Sequence, residues 1–155
     1  MPISVDRANR VRRAAADALA RLGSVPVSID DAFAPLGETL TWLCAADEMF
    51  ERDEPSYAGN RELDSIGRTL RGLRYARNQT VHGTTVTSVA TRVQGASFPM
   101  SLPMSFRERL IWTPQKDLPP VPQPRPAQEA AYANYLASRD VVPSLHAAVA
   151  YLATI

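Results

Sequence analysis

Lysine is almost missing from this chain: of 17 basic residues, 16 are arginine and Lys116 is the sole lysine. Cysteine occurs once, at Cys44, and histidine twice, at His82 and His146. A lone cysteine excludes an intramolecular disulfide and fits a reducing cytoplasm. One thiol and two imidazoles are too few soft ligands for a structural zinc site, so neither a metal nor a cofactor is expected. Long apolar runs are also absent. No stretch approaches the roughly 20 residues that a membrane-spanning helix needs. The arginine-rich N-terminal segment lacks the apolar run of a secretory signal, and Asp6 and Asp17 argue against a transit peptide. Nor does the chain carry a glycine-rich phosphate loop, a nucleophile elbow, a paired-histidine metalloprotease motif or a calcium loop.

What is present fits one domain of 155 residues, long enough to bury a core. The net charge of +1 gives no whole-molecule field to attract nucleic acid. The arginine excess has two readings: codon bias in a GC-rich genome, or phosphate contact through the planar guanidinium fork. Composition does not separate them.

Helical periodicity dominates. Residues 5–22 place Ala8, Val11, Ala15, Ala18, Leu19 and Leu22 on one slim face, with Gly23 as the stop signal. Residues 29–53 carry a second pattern through Leu36, Leu40, Leu43, Asp47 and Phe50. Pro35 and Gly37 interrupt it, so the helix is expected only from about Glu38. Residues 54–59 read as a loop, with Asn60 capping a third helix that ends near His82 or Gly83. The β-branched run from Thr84 to Val93 and the alternation from Phe106 to Trp112 predict a small β-hairpin over 85–113. Six of the 13 prolines fall between Pro114 and Pro126, an extended strap covering the connection between two helical parts. Two more helices are expected, over 127–139 and after Asp140, which looks like a cap with Pro143 in the first turn. The chain is therefore a mainly α helical bundle with a β-hairpin insertion and a proline-rich strap.

The third helix is the unusual one. At about 100° per residue, Leu63, Ile66, Leu70, Leu73, Arg77 and Val81 share a stripe roughly 80° wide, while Arg71, Tyr75, Asn78 and His82 form a polar stripe beside it. Arg77 thus sits among apolar positions, as Asp47 does in the preceding helix. A lone buried charge is very costly and a paired one tolerable, so Asp47 is expected to face Arg77, with Glu48 and Glu51 as alternative partners.

The run Arg77-Asn78-Gln79-Thr80-Val81-His82, at the end of a helix in a mostly α chain, resembles the signature of the HEPN family: an arginine, commonly followed by Asn, Asp or His, then a histidine after four to six residues. The resemblance covers one helix directly. It implies a small helical domain, often a homodimer, acting as a metal-independent ribonuclease, often as the toxin of a toxin–antitoxin pair or in antiphage defence. RNA would then be the substrate and a cognate antitoxin protein the partner. The chemistry asks for a base to take the 2′-hydroxyl proton and a cation to hold the phosphate charge. Histidine, which titrates near neutrality, suits the first task at His82. Arg77 suits the second, and Asn78 can orient the imidazole or the phosphate. Arg71 and Arg74 would extend the binding surface and Tyr75 would stack on a base, with Asp47 and Glu48 supporting Arg77 from behind. Five residues apart on a regular helix, Arg77 and His82 point about 140° away from one another, so they converge only if the helix loosens or two subunits share a site. Two other readings stand beside this one: a non-catalytic helical binding or assembly module, and a nucleotide-binding regulatory domain.

Overall fold

The small-residue face of the first segment forms a helix against the second, and this pair begins the core. A computed structural model describes residues 5–94, 105–123 and 125–155. Helix α1 (Val5–Ser24) runs through Gly23 rather than stopping before it. Its Ala8, Ala15, Ala18, Leu19 and Leu22 are buried, the face that the periodicity predicts. Helix α2 (Ile29–Asp53) starts nine residues before Glu38: the Ser28 hydroxyl caps it by accepting from the Asp31 N–H at 3.3 Å. Pro35 is accommodated inside it. The buried Ala32, Leu36 and Leu40 hold the segment on both sides of the proline, each leucine contributing roughly 1.5–3 kcal/mol by burial, enough to offset a missing helix bond.

The stretch read as one loop and one helix is two helices. Helix α3 (Tyr57–Leu63) takes the second half of the expected loop, and helix α4 (Ser65–Val81) follows after a single break at Asp64. Asp64 is extended, and its Oδ1 accepts from the N–H groups of Ile66 at 2.7 Å and Gly67 at 2.8 Å. That cap, rather than Asn60, starts the helix. At the other end Gly83 takes φ +78. The N–H of Gly83 donates to the Thr80 carbonyl at 2.9 Å and that of Thr84 to Gln79 at 3.0 Å, a Schellman stop.

The two ends of the expected stripe fall outside the core. Leu63 is 86% exposed and Val81 72% exposed, so neither belongs to the core. Leu70 and Leu73 of that stripe are buried as expected, and Gly67, Gly72, Tyr75, Ala76 and Gln79 are buried beside them. Helix α4 packs against α2 and α3 as well as against α5 (Pro126–Tyr135) and α6 (Val141–Ala153), and so forms the centre of the bundle.

Strands β1 (Thr87–Gln94) and β2 (Ser105–Trp112) pair antiparallel, with Thr87 opposite Trp112, as the hairpin over 85–113 requires. The connecting residues 95–104, including Pro99 and Pro103, lie outside the described residues. The hairpin's base is tied to the bundle. Trp112 is fully buried, its backbone N–H donates to the Arg139 carbonyl at 2.9 Å, and its ring meets Tyr132 edge-on at 6.2 Å. The strap (114–126, of which 124 is not described) makes a 3₁₀ turn at Gln115–Asp117 and then lies over α4, where the Gln79 amide donates to the Pro119 carbonyl at 2.7 Å. Helix α5 is shorter than the expected 127–139, ending at Tyr135. Asp140 stands at the N-cap of α6 without capping it: its Oδ2 accepts from Arg109 at 2.8 Å.

Candidate functional site

The buried charges come first, because they decide what Arg77 is free to do. Asp47 is fully buried. Its Oδ1 accepts from the Tyr57 hydroxyl at 2.7 Å and from Arg61 Nη1 at 2.9 Å, and its Oδ2 accepts from Arg74 Nε at 2.6 Å. Glu51 completes the cluster through Arg61 at 3.2 Å and through Arg74. The expected Asp47–Arg77 pair is therefore not formed. Arg61 and Arg74 approach Asp47 from the α3 and α4 sides, and two carboxylates balance two guanidiniums. Burial works against the charge on Arg61, but Asp47 and Glu51 outweigh it and hold its pKa above the ordinary arginine value. Burial and the Asp47 carboxylate together push the Tyr57 phenol upward, which keeps it a donor.

Arg77 pairs instead with Glu48, the alternative partner, at 2.9 Å on a half-exposed edge of α2. It opens on a shallow groove of about 280 Å³ beside Phe33, Gly37 and Thr41.

Asn78 and His82 face elsewhere. Both line a depression of about 270 Å³ between the C-terminal end of α4 and the strap, walled by Val121, Pro122 and Gln123 and closed by Arg125. His82 is exposed and serves as the C-cap of α4, its backbone N–H donating to Asn78 at 3.3 Å and Gln79 at 3.1 Å. The Asn78 amide lies 3.5 Å from Gln128 Oε1 in the first turn of α5. Among the described residues, no hydrogen bond or ion pair engages the His82 ring or the Arg125 guanidinium. The helix stays regular as far as Val81, so the divergence of Arg77 and His82 persists within one chain.

The residues expected to extend the surface divide likewise. Arg71 is half-exposed and pairs with Glu62 at 2.8 Å, outside the depression. Arg74 is spent on Asp47 and Glu51. Tyr75 is 2% exposed, packed at 5.1 Å and a 48° tilt against Tyr132 with its hydroxyl accepting from Gln79, so it has no face to offer a base. Its place on the polar stripe was misleading because the strap and α5 cover that side of α4. Cys44 is buried and its thiol is pushed up to about 12 by desolvation, which makes it inert. Among the described residues no group of three or more His, Cys, Asp or Glu is placed to hold a metal ion. No described helix is long and apolar enough to cross a membrane.

Sequence reasoning did not find Arg61 or Arg125. Arg61 sits in a polar run with no apolar stripe around it, and Arg125 is separated from the motif by the whole hairpin and strap. No protein-family model matches the chain, and no curated protein or solved structure matches it either.

Proposed function

We propose that the protein is a HEPN-like metal-independent RNA endonuclease whose site is the depression at the C-terminal end of α4. One observation carries this reading: the unengaged His82 imidazole, the Asn78 amide and the Arg125 guanidinium open on one cavity. In the reaction His82 takes the proton of a ribose 2′-hydroxyl. The 2′-oxygen bonds to phosphorus, the bond from phosphorus to the 5′-oxygen breaks, and the departing 5′-oxygen takes a proton from water. The products are a 2′,3′-cyclic phosphate and a 5′-hydroxyl. The same reading makes the protein a cytoplasmic toxin or defence nuclease, working as a homodimer and restrained by a cognate antitoxin protein.

Purified protein is expected to cleave RNA in EDTA and leave cyclic-phosphate ends, and His82→Ala to abolish the cleavage. Equal cleavage by wild type and His82→Ala would sink the catalytic assignment. The second reading, a non-catalytic helical binding or assembly module, draws on Arg77, which is turned towards Glu48 instead of His82. It predicts no cleavage by wild type and full retention of partner binding by His82→Ala.

A further inference from the structure

We infer that Arg125, contributed by the proline-rich strap, is the residue that holds the phosphate at this site, in place of the motif arginine Arg77. The inference deepens the ribonuclease reading and rests on it for the identity of the ligand, a phosphodiester of single-stranded nucleic acid. The argument for an anion at that position is separate and comes from the arrangement of charge.

A cation that is to hold a developing phosphate charge must share a cavity with the base and must not already be neutralised. Within one chain Arg77 meets neither condition. It lies in the groove beside Phe33, and its guanidinium is already paired with Glu48. Arg74 is tied to two carboxylates and Arg71 to one. Arg125 meets both conditions. It lines the same cavity as His82 and Asn78 and is exposed, and none of the residues lining that cavity is acidic. It is also the N-cap residue of α5, so its backbone is set by the start of that helix. Gln123 and Asn78 supply neutral amide donors on either side, and Val121 with Pro122 gives an apolar wall against which a sugar or base can rest. The Gln79 to Pro119 hydrogen bond ties the strap to α4, and Arg125 itself is fixed at the start of α5. The sequence separation of Arg125 from His82 reflects a site built from two chain segments that only the packing of the strap on α4 brings together.

The test uses the full chain carrying His146→Gln, which leaves His82 as the only imidazole, and follows the His82 ring signals by NMR. The probe is a hexadeoxyribonucleotide, which presents phosphodiesters but has no 2′-hydroxyl to react. Wild type should show a saturable shift. Hydrogen bonds to a charged partner are strong, so Arg125→Ala should weaken the midpoint roughly tenfold or more. Its salt dependence should fall by about one phosphate contact. Arg125→Lys should recover part of the affinity, since it restores the charge without the planar fork, and Arg77→Ala should bind within about twofold of wild type. The inference is overturned if Arg125→Ala binds as wild type does, if Arg77→Ala loses affinity while Arg125→Ala keeps it, or if wild type gives no saturable shift at His82. Because Arg125 is exposed, the melt of Arg125→Ala should match wild type and separate loss of binding from loss of fold. RNA cleavage in EDTA is scored in parallel. Loss of binding in Arg125→Ala with no cleavage by wild type retains the phosphate site and removes the ribonuclease reading alone. Cleavage by wild type that Arg125→Ala leaves unchanged removes the inference and retains that reading.

Discussion

Removing the carboxylate of Asp47 tests the packing of the whole bundle. Its side chain is fully buried, and Arg61, which it neutralises, is 2% exposed. Asp47→Ala leaves that guanidinium with only Glu51 and Glu62, both more than a third exposed, and leaves the Tyr57 hydroxyl without its acceptor. Breaking one side of a buried ion pair typically costs about 3–5 kcal/mol. In a chain of this length each kcal/mol lowers the melting temperature by about 2–4 °C, so a fall of roughly 6–20 °C is expected. Arg77→Ala is the comparison. Its pair with Glu48 is 24% and 46% exposed, and such pairs contribute about 0–1 kcal/mol. Asp47→Asn, which keeps the volume and removes the charge, should fall between the two. Urea unfolding followed by far-ultraviolet circular dichroism gives all three values. A loss below about 1 kcal/mol for Asp47→Ala, or an equal loss for Arg77→Ala, would refute the assignment of the buried network.

Four further outcomes follow from the same packing. A Cβ on Gly67 would stand 2.5 Å from the Arg61 carbonyl oxygen, so Gly67→Ala should destabilise by about 1–3 kcal/mol. Gly23→Ala, with nothing within 4 Å in helix α1, should stabilise by about 0.5–1 kcal/mol in the same melts. Burial alone would raise the Glu51 pKa, but the hydrogen bond and charge of Arg74, with Arg61, hold it below its ordinary 4.5. Its contribution is therefore complete above pH 4.5 and is lost as pH falls through the lower folded value; Glu51→Gln should flatten that part of an acid titration, by less than about 1 kcal/mol because solvent screens the group. Cys44, with its thiol near 12, should react with an aromatic disulfide reagent at pH 8 only as the chain unfolds; reaction of native protein at the rate of a free thiol would contradict its burial.

Where local pattern and burial agreed, the elements were legible. The alanine and leucine face of α1 and the β-branched run of β1 are buried or paired as their periods require. The capped start of α2 was obscured by Pro35, whose cost is offset by leucines that find partners only in the folded chain. The larger error was the single break at Asp64. An aspartate between Leu63 and Ile66 reads as one more polar position in an amphipathic pattern. As a cap it starts α4 at Ser65 and leaves Leu63 exposed at the end of α3, while Tyr75 is buried by the packing of α5 against its side of α4.

The sequence by itself determined the mainly α class, the hairpin, the strap, the inert cysteine, and the polar end of α4 with Asn78 and His82 on one side. These follow from short-range periodicity and from residue chemistry, both of which act over a few positions. Only the tertiary structure decided which arginine neutralises which carboxylate. Asp47 is met by Arg61 and Arg74, and Arg77 is left to Glu48. It alone also put Arg125 beside His82. Charge pairing acts through space, and its partners are set by how helices pack, so the spacing of arginines along the chain cannot assign them.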